Sequence, residues 1–338
     1  MPKGTVYSTV SLMKAKEKTK LPILFLWKML IVREKAFRTP ELEIHSKVGN
    51  RTIVPLVGRR ENGTFIKREA FAKRTYEPKM LKPYKIIDSD LLLQQQYGES
   101  IYGDPLKALT KIMMDDITEL RTVAIRTKQW LLSQVLTTGV LPANEGDEAI
   151  DFGEFKKVVL SGTSLWTNPA SSPIKFLKEQ RKKIQKEMGI VPDTLILSSE
   201  VGAAFQENPE IRELLKLNQG VMLQMAPKEL EEGVAYIGYI PEINTTVYTF
   251  TDFVDNLKGE TTELIPRKGG IYIKKKTFVC DYAVISARLK QGQDIKPFVV
   301  DELIRKVEKE DEDKIELLSA PFIRPEVPGS WVYFEAIE

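Results

Sequence analysis

The chain has 338 residues, enough for a substantial core and more than a single core usually grows to, so two or more packed sub-regions are expected. With 42% hydrophobic and 29% charged residues it is a folding sequence, and a net charge of only +3 gives no ground for whole-protein attraction to nucleic acid. One histidine, His45, and one cysteine, Cys280, exclude a disulfide framework, His-His metal sites, Ser-His-Asp triads and Cys-His pairs within one chain.

The N-terminal twenty residues are polar and lysine-rich and read as a mobile arm rather than a signal peptide. Residues 21–32, LPILFLWKMLIV, form an apolar run with Pro22 placed for a first helical turn. This run packs either on its own body or on a neighbour, and no stretch reaches the roughly 18 apolar residues of a membrane span. From Ile44 to Asp90 the signals are strands and turns: 51–57, an Asn62-Gly63 turn, and Tyr84–Asp88. Together they predict an extended excursion of about forty residues. It is basic, with nine Lys or Arg against three Glu over residues 58–85, a net of +6.

Residues 104–138 make the clearest helix. Asp104 can cap it and Pro105 fits its first position. Ile117, Leu120 and Ala124 belong to an apolar stripe at three- and four-residue steps, and Gly139 supplies the stop. Ile117 and Leu120 are expected to be buried against a sheet, with Asp115, Asp116 and Arg126 on the outer side. Residues 140–170 are turn-rich, with an acidic hairpin tip at 144–148. Ser172 and Pro173 then open a helix that ends at Gly189; Thr194–Leu197 reads as a buried strand; Ser198 and Asn208-Pro209 open two short helices. Strands dominate from Val234. Between them runs the charge-mixed segment 301–316, with eight acids and four bases, a net of −4.

No phosphate loop, dinucleotide fingerprint, nucleophile elbow or H-E-x-x-H helix is present. Pro266-Arg267-Lys268-Gly269-Gly270 leads into a strand rather than a helix and reads as a tight turn. Cys280, within an apolar run, reads as a buried inert thiol. No catalytic, cofactor-binding or metal-binding residue is assigned, and no enzyme activity is expected.

Three segments carry a resemblance. The first is Leu165-Trp166-Thr167-Asn168-Pro169-Ala170-Ser171-Ser172-Pro173 with Ile190-Val191-Pro192-Asp193-Thr194-Leu195-Ile196-Leu197-Ser198 and Asn208-Pro209. The second is Leu317-Leu318-Ser319-Ala320-Pro321-Phe322, and the third is Tyr76-Glu77-Pro78 with Leu81-Lys82-Pro83-Tyr84. In order and spacing these are similar to the major capsid proteins of lambda-like tailed bacteriophages, the major capsid protein E family, over roughly residues 21–337. The chain departs from the family at Lys296-Pro297-Phe298-Val299 and in the acidic stretch that follows.

The resemblance implies an α+β tailed-phage major capsid fold, divided here into an N-terminal arm (1–43), an extended loop (44–90), a peripheral domain with a spine helix (91–165), an axial domain (166–269), return strands of the peripheral domain (270–316) and C-terminal strands (317–338). It implies a structural head protein that self-assembles into an icosahedral shell enclosing phage DNA. The alternative is an encapsulin-like nanocompartment shell subunit of the same fold.

The partners implied are further copies of the chain as hexamers and pentamers, a separate scaffolding protein, a portal, a decoration protein where one binds, and packaged DNA without sequence-specific contacts. No membrane or cofactor is implied. Assembly in the host cytoplasm and residence in the virion capsid follow. The opposite charges of the two segments assign inter-subunit contacts to Arg59, Arg60, Lys67, Arg68, Lys73 and Arg74 of the loop and to Glu308, Glu310 and Asp311 of the acidic run.

Overall fold

The computed structural model describes residues 12, 13, 16, 24–46, 72–87, 105–142, 149–217, 228–231, 233–255, 259–288, 294–308 and 313–338. Within the arm, the short helix Phe25–Leu30 buries Leu26, Met29 and Leu30. Helix gives way to strand at Ile31, two residues earlier than the apolar run suggests. Ile31 and Val32 are β-branched and fit a pleated strand better than a helical turn. Strand Ile31–Ala36 lies parallel to Phe278–Tyr282, whose other edge takes Pro321–Pro325 antiparallel. The apolar run therefore packs on its own body.

The extended excursion leaves and returns as a two-stranded ribbon, Leu42–Ser46 against Ala72–Tyr76, with Leu42 opposite Tyr76 and Ser46 opposite Ala72. The expected strand 51–57 and the Asn62-Gly63 turn lie outside the described residues. Tyr84–Ile87 does not join that ribbon. It is the edge of a separate three-stranded sheet, paired with Asp313–Leu318, which in turn pairs with Leu303–Glu308. The acidic run is thus a hairpin. Its apolar positions Leu303, Ile304, Ile315 and Leu317 are all buried, which the surrounding charges obscure in the sequence.

The spine helix spans Pro105–Thr138, 34 residues and about 50 Å at 1.5 Å per residue. It stops where Gly139 takes φ +77°, the left-handed region glycine enters freely, and the Gly139 N–H donates to the Val135 carbonyl. As expected from its stripe, Met113, Ile117, Leu120 and Ala124 pack against Ile304, Ile315 and Leu317 of the hairpin, while Asp115 and Arg126 are exposed. Further along, Leu132, Val135 and Leu136 enter a second core with Leu26, Leu30 and Phe278.

The largest sheet has seven strands in the order Lys157–Val159, Val332–Glu335, Gly269–Ile273, Thr194–Leu197, Thr245–Phe250, Val234–Ile240 and Lys228–Glu231. Alternation of side chains divides it between two cores. Leu195, Leu197, Val247, Tyr272, Val332 and Phe334 face the helices Pro173–Met188, Ser199–Glu207 and Pro209–Leu217. Ile196, Phe250, Ile271, Ile273 and Tyr333 face the core shared with the spine helix. Both faces are covered, which is why Thr194–Leu197 is buried at every residue.

Candidate assembly site

The resemblance segments mark places where the chain fastens to itself. Ser172 caps the helix Pro173–Met188 by accepting from the Lys175 N–H at 3.3 Å, and donates its own hydroxyl to Glu210 Oε1 at 2.7 Å. Asn208 donates to Ser171 Oγ at 2.9 Å and accepts from the Glu210 N–H at 3.0 Å, so Asn208-Pro209 ties the third helix to the first. Trp166 fills the core beneath them, against Phe176, Phe205 and Phe334.

The other two segments meet each other. Leu81 donates to the Ser319 carbonyl at 2.7 Å and Ser319 returns a bond to Leu81 at 3.1 Å, while Ser319 Oγ holds the Asp301 carbonyl at 2.7 Å. The foot of the extended ribbon is therefore stitched to the acidic hairpin. Beside this foot lies a groove of about 750 Å³ walled by Tyr76, Trp130, Leu131, Leu141, Ile150 and Pro321.

Electrostatics at this place are not what the net charges of the two segments suggest. Lys85, counted with the basic excursion, binds Asp116 at 3.1 Å and also Glu119 on the spine helix. Burial pulls its ammonium down, but the two carboxylates outweigh that and raise its pKa above the usual lysine value. Three acids of the 301–316 run have partners in their own chain. Asp301 binds Lys16 at 2.8 Å; Glu316 binds Arg305 at 2.5 Å and Lys314 at 3.4 Å. Glu302, with only 3% of its side chain exposed, binds Lys128 at 2.8 Å and Arg121 at 3.1 Å. Burial would push the Glu302 carboxyl up, yet Lys128, Arg121 and Lys16 hold it below the usual carboxylate range.

Of the residues assigned as inter-subunit contacts, Arg59, Arg60, Lys67, Arg68, Glu310 and Asp311 lie outside the described residues. Lys73 and Arg74 stand on the ribbon opposite His45 and Ile44, and Glu308 stands on the hairpin opposite Asp313. The structure thus puts Lys73 and Arg74 on one sheet and Glu308 on another sheet of the same subunit. Sequence reasoning missed the buried cluster of Glu302, Lys128, Arg121 and Lys16. A signal was present: Lys128 continues the four-residue step Leu120, Ala124 of the buried stripe, where a lysine needs a buried partner.

Among the described residues no group of three or more His, Cys, Asp or Glu side chains could hold a metal ion. Cys280 is fully buried, and burial pushes its thiol up to about 12. The Pro266–Gly270 turn closes through a Gly269 N–H to Pro266 carbonyl bond of 2.7 Å and leads directly into strand Gly269–Ile273. Among the described residues no helix is long and apolar enough to cross a membrane.

An arm packed on the body, a ribbon with a stitched foot, a long spine helix and a two-sided sheet under three helices make up the α+β fold of tailed-phage major capsid proteins. The comparisons agree. The phage major capsid protein E family matches residues 8–332, and the chain belongs to that family. It is a structural capsid protein.

A crystal structure assigned as a prophage capsid protein of E. coli CFT073 superposes with TM-score 0.67 at 18% identity, covering 98% of this chain and 99% of that one. A phage-related protein from Bordetella bronchiseptica RB50 gives 0.54 at 12% identity, covering 98% and 97%. The encapsulin SrpI of Synechococcus elongatus PCC 7942 gives 0.47 at 12% identity over 96% and 95%, too low to carry an argument. A search of curated proteins gave no match.

Proposed function

We propose that this chain is the repeating subunit of an icosahedral phage head, arranged as hexamers and pentamers around DNA that it encloses without reading its sequence. The observation that supports this most directly is the ribbon Leu42–Ser46/Ala72–Tyr76. Among the described residues it pairs with no third strand. A two-stranded ribbon with two open edges is marginal in water and prone to pair with another chain. In a shell the neighbouring subunit removes that liability.

On this reading the arm, loop, peripheral and axial divisions given above are the units that move and dock. The chain turns over no substrate and needs no cofactor. A separate scaffolding protein and a portal direct assembly in the host cytoplasm, and a decoration protein binds the finished surface where the phage encodes one. The loop cations Arg59, Arg60, Lys67, Arg68, Lys73 and Arg74 meet Glu308, Glu310 and Asp311 at the end of a neighbour's hairpin. Acids at 301, 302 and 316 are left out of this contact because their own chain already neutralises them. Exposed ion pairs contribute only about 0–1 kcal/mol each, so they steer and set register while buried apolar area holds the shell.

Electron microscopy of the expressed protein tests the reading: closed particles of uniform diameter are expected. Raised salt is expected to slow assembly more than it disrupts finished particles. A protein that stays monomeric at high concentration with its scaffolding partner present, or that shows a saturable turnover abolished by changing one carboxylate, contradicts it.

A further inference from the structure

The chain as a whole is nearly neutral, yet one sheet collects a surplus of cations. That sheet joins strand Ile31–Ala36 to Phe278–Tyr282 and Pro321–Pro325. The three strands with the residues flanking them (28–38, 274–282 and 321–326) carry eight Lys or Arg against three acids, a net of +5. The whole chain is +3, so everything else is net −2. The segments are far apart in sequence and meet only through the parallel pairing that sets Arg33 opposite Val279 and Lys35 opposite Asp281.

The three acids do not answer these cations one for one. Glu34 accepts from Trp27 Nε1 at 2.9 Å and from the Tyr282 hydroxyl at 2.6 Å. Side chains alternate along a strand, so Glu34 stands on the opposite face from Arg33 and Lys35. Asp281 is buried and accepts from Arg324 Nε at 2.9 Å, which holds Arg324 in the cross-strand row Arg33, Val279, Arg324. Lys276 Nζ donates to the Lys28 and Ile31 carbonyls at 2.6 and 2.7 Å, fixing the positive turn 274–276 against the start of the first strand. Among the described residues, Arg33, Lys35, Arg38 and Lys274 are exposed and form no ion pair.

Edge strands carry lysine to discourage pairing with another chain. That accounts for Arg33 and Lys35 but not for the turn 274–276, nor for Arg324 on the far strand. A protein partner would want apolar area, and Val32 is the one exposed large hydrophobic side chain of these segments. Cations spread along an extended strand with so little apolar surface match a linear polyanion.

We propose that this sheet edge binds the phosphate backbone of double-stranded DNA through Arg33, Lys35, Arg38, Lys274 and Arg324, without reading bases. Its setting rests on the assembly reading above, in which each copy offers this edge to the enclosed duplex. Duplex DNA presents one charge per about 1.7 Å of axis and an extended acidic polypeptide one per about 3.4 Å, so the duplex releases more counterions.

The test titrates a short random-sequence duplex with the unassembled full chain. For the parent, the slope of log affinity on log salt is expected to be about −4, the value for about four to five phosphate contacts. Arg33→Glu with Lys35→Glu is expected to lower affinity at least about tenfold and to flatten the slope by about 2. Two controls make the same charge change elsewhere: Lys182→Glu with Lys183→Glu on the helix Pro173–Met188, where both are exposed, and Arg59→Glu with Arg60→Glu in the loop. Each control is expected to stay within about threefold of the parent, and polyglutamate of equal total charge to compete at least about tenfold less well than unlabelled duplex.

A parent that binds no duplex overturns the proposal. So does a reversal at Arg33 and Lys35 that leaves affinity and slope unchanged, or equal losses in all three reversals. Polyglutamate that competes as well as duplex overturns it in favour of an acidic polypeptide as the occupant. If the Glu variant does not fold by circular dichroism, Arg33→Gln with Lys35→Gln takes its place and is also expected to flatten the slope by about 2. Loss of the fold in that neutral variant overturns the surface role. Binding is scored before assembly. A subunit that binds duplex yet builds no particle counts against the shell reading alone, and one that closes shells without binding duplex counts against this proposal alone.

Discussion

Two halves of the molecule solve burial in different ways. Around Trp166, the helices Pro173–Met188 and Ser199–Glu207 close on the seven-stranded sheet through Leu177, Ile184, Phe205, Val247 and Phe334, an apolar core whose polar ties are caps at its rim. Its cost is a buried Trp166 indole N–H with no hydrogen-bond partner among the described residues. Around Glu302, the spine helix and the hairpin meet over an apolar cluster beside which Lys128 and Glu302 form a buried ion pair. The first half draws most of its core from residues 166–247 and completes it with Tyr272, Val332 and Phe334. The second joins distant segments through charges, and it lies beside the loop foot, where Leu81 and Ser319 are stitched together. Apolar packing suits a unit that only has to be rigid, whereas a charged seam can be tuned by salt, pH and contact.

The largest effects sharpen that contrast. Phe205→Ala, in the apolar half, is expected to cost about 3–5 kcal/mol in denaturant unfolding of the unassembled subunit. Glu302→Gln is expected to cost a similar amount, about 3–5 kcal/mol, because it leaves Lys128 and Arg121 without their anion. Acid separates the two. The folded Glu302 pKa lies below the unfolded value of 4.5, so its contribution is complete above pH 4.5 and is lost as pH falls through the folded value. The gap between parent and Glu302→Gln should therefore close as the pH drops below 4.5, while the Phe205→Ala gap persists. Equal pH dependence for both variants would dissolve the distinction.

Leu120→Ala comes next, at about 2–5 kcal/mol, since Leu120 is 4% exposed where the spine helix meets the hairpin. A loss under 1 kcal/mol by thermal or denaturant unfolding would show that this seam packs loosely. The smallest effect is Glu242→Gln on the rim of the apolar half. Its pair with Lys178 is half exposed on both sides, and a change of no more than about 1 kcal/mol is expected.

Much of this was legible in the sequence where local chemistry decides. Pro105, Gly139, Ser172, Pro173 and Gly189 mark helix ends by backbone geometry, and the observed helices start and stop at them. The Thr194–Leu197 strand, the buried Cys280 and the inward face of Ile117 and Leu120 follow from runs and periods. What was hidden depends on partners that sequence does not supply. Ile31 and Val32 look like the end of a helix until Phe278–Tyr282 is there to pair with them. Segment 301–316 looks like a solvated charged run because its acids outnumber its buried Leu and Ile positions. Only the fold reveals that Asp301, Glu302 and Glu316 are answered within the chain. Most of the charges assigned to assembly, among them Arg59 and Glu310, fall outside the described residues, so the contact between loop and hairpin stands as a proposal.

That contact is open to one direct measurement. Residues 58–74 are replaced by a short Gly-Ser linker, and the purified protein is followed by denaturant unfolding and by electron microscopy beside the parent. The account predicts a soluble subunit, because among the described residues Leu177, Phe205 and Phe334 close the core around Trp166 and Leu120, Ile304 and Ile315 close the one beside Glu302, and it predicts that this subunit forms no complete shells. Normal closed shells from the linker protein would contradict the role given to the loop, and outright failure to fold would contradict the claim that the loop serves assembly rather than the subunit itself.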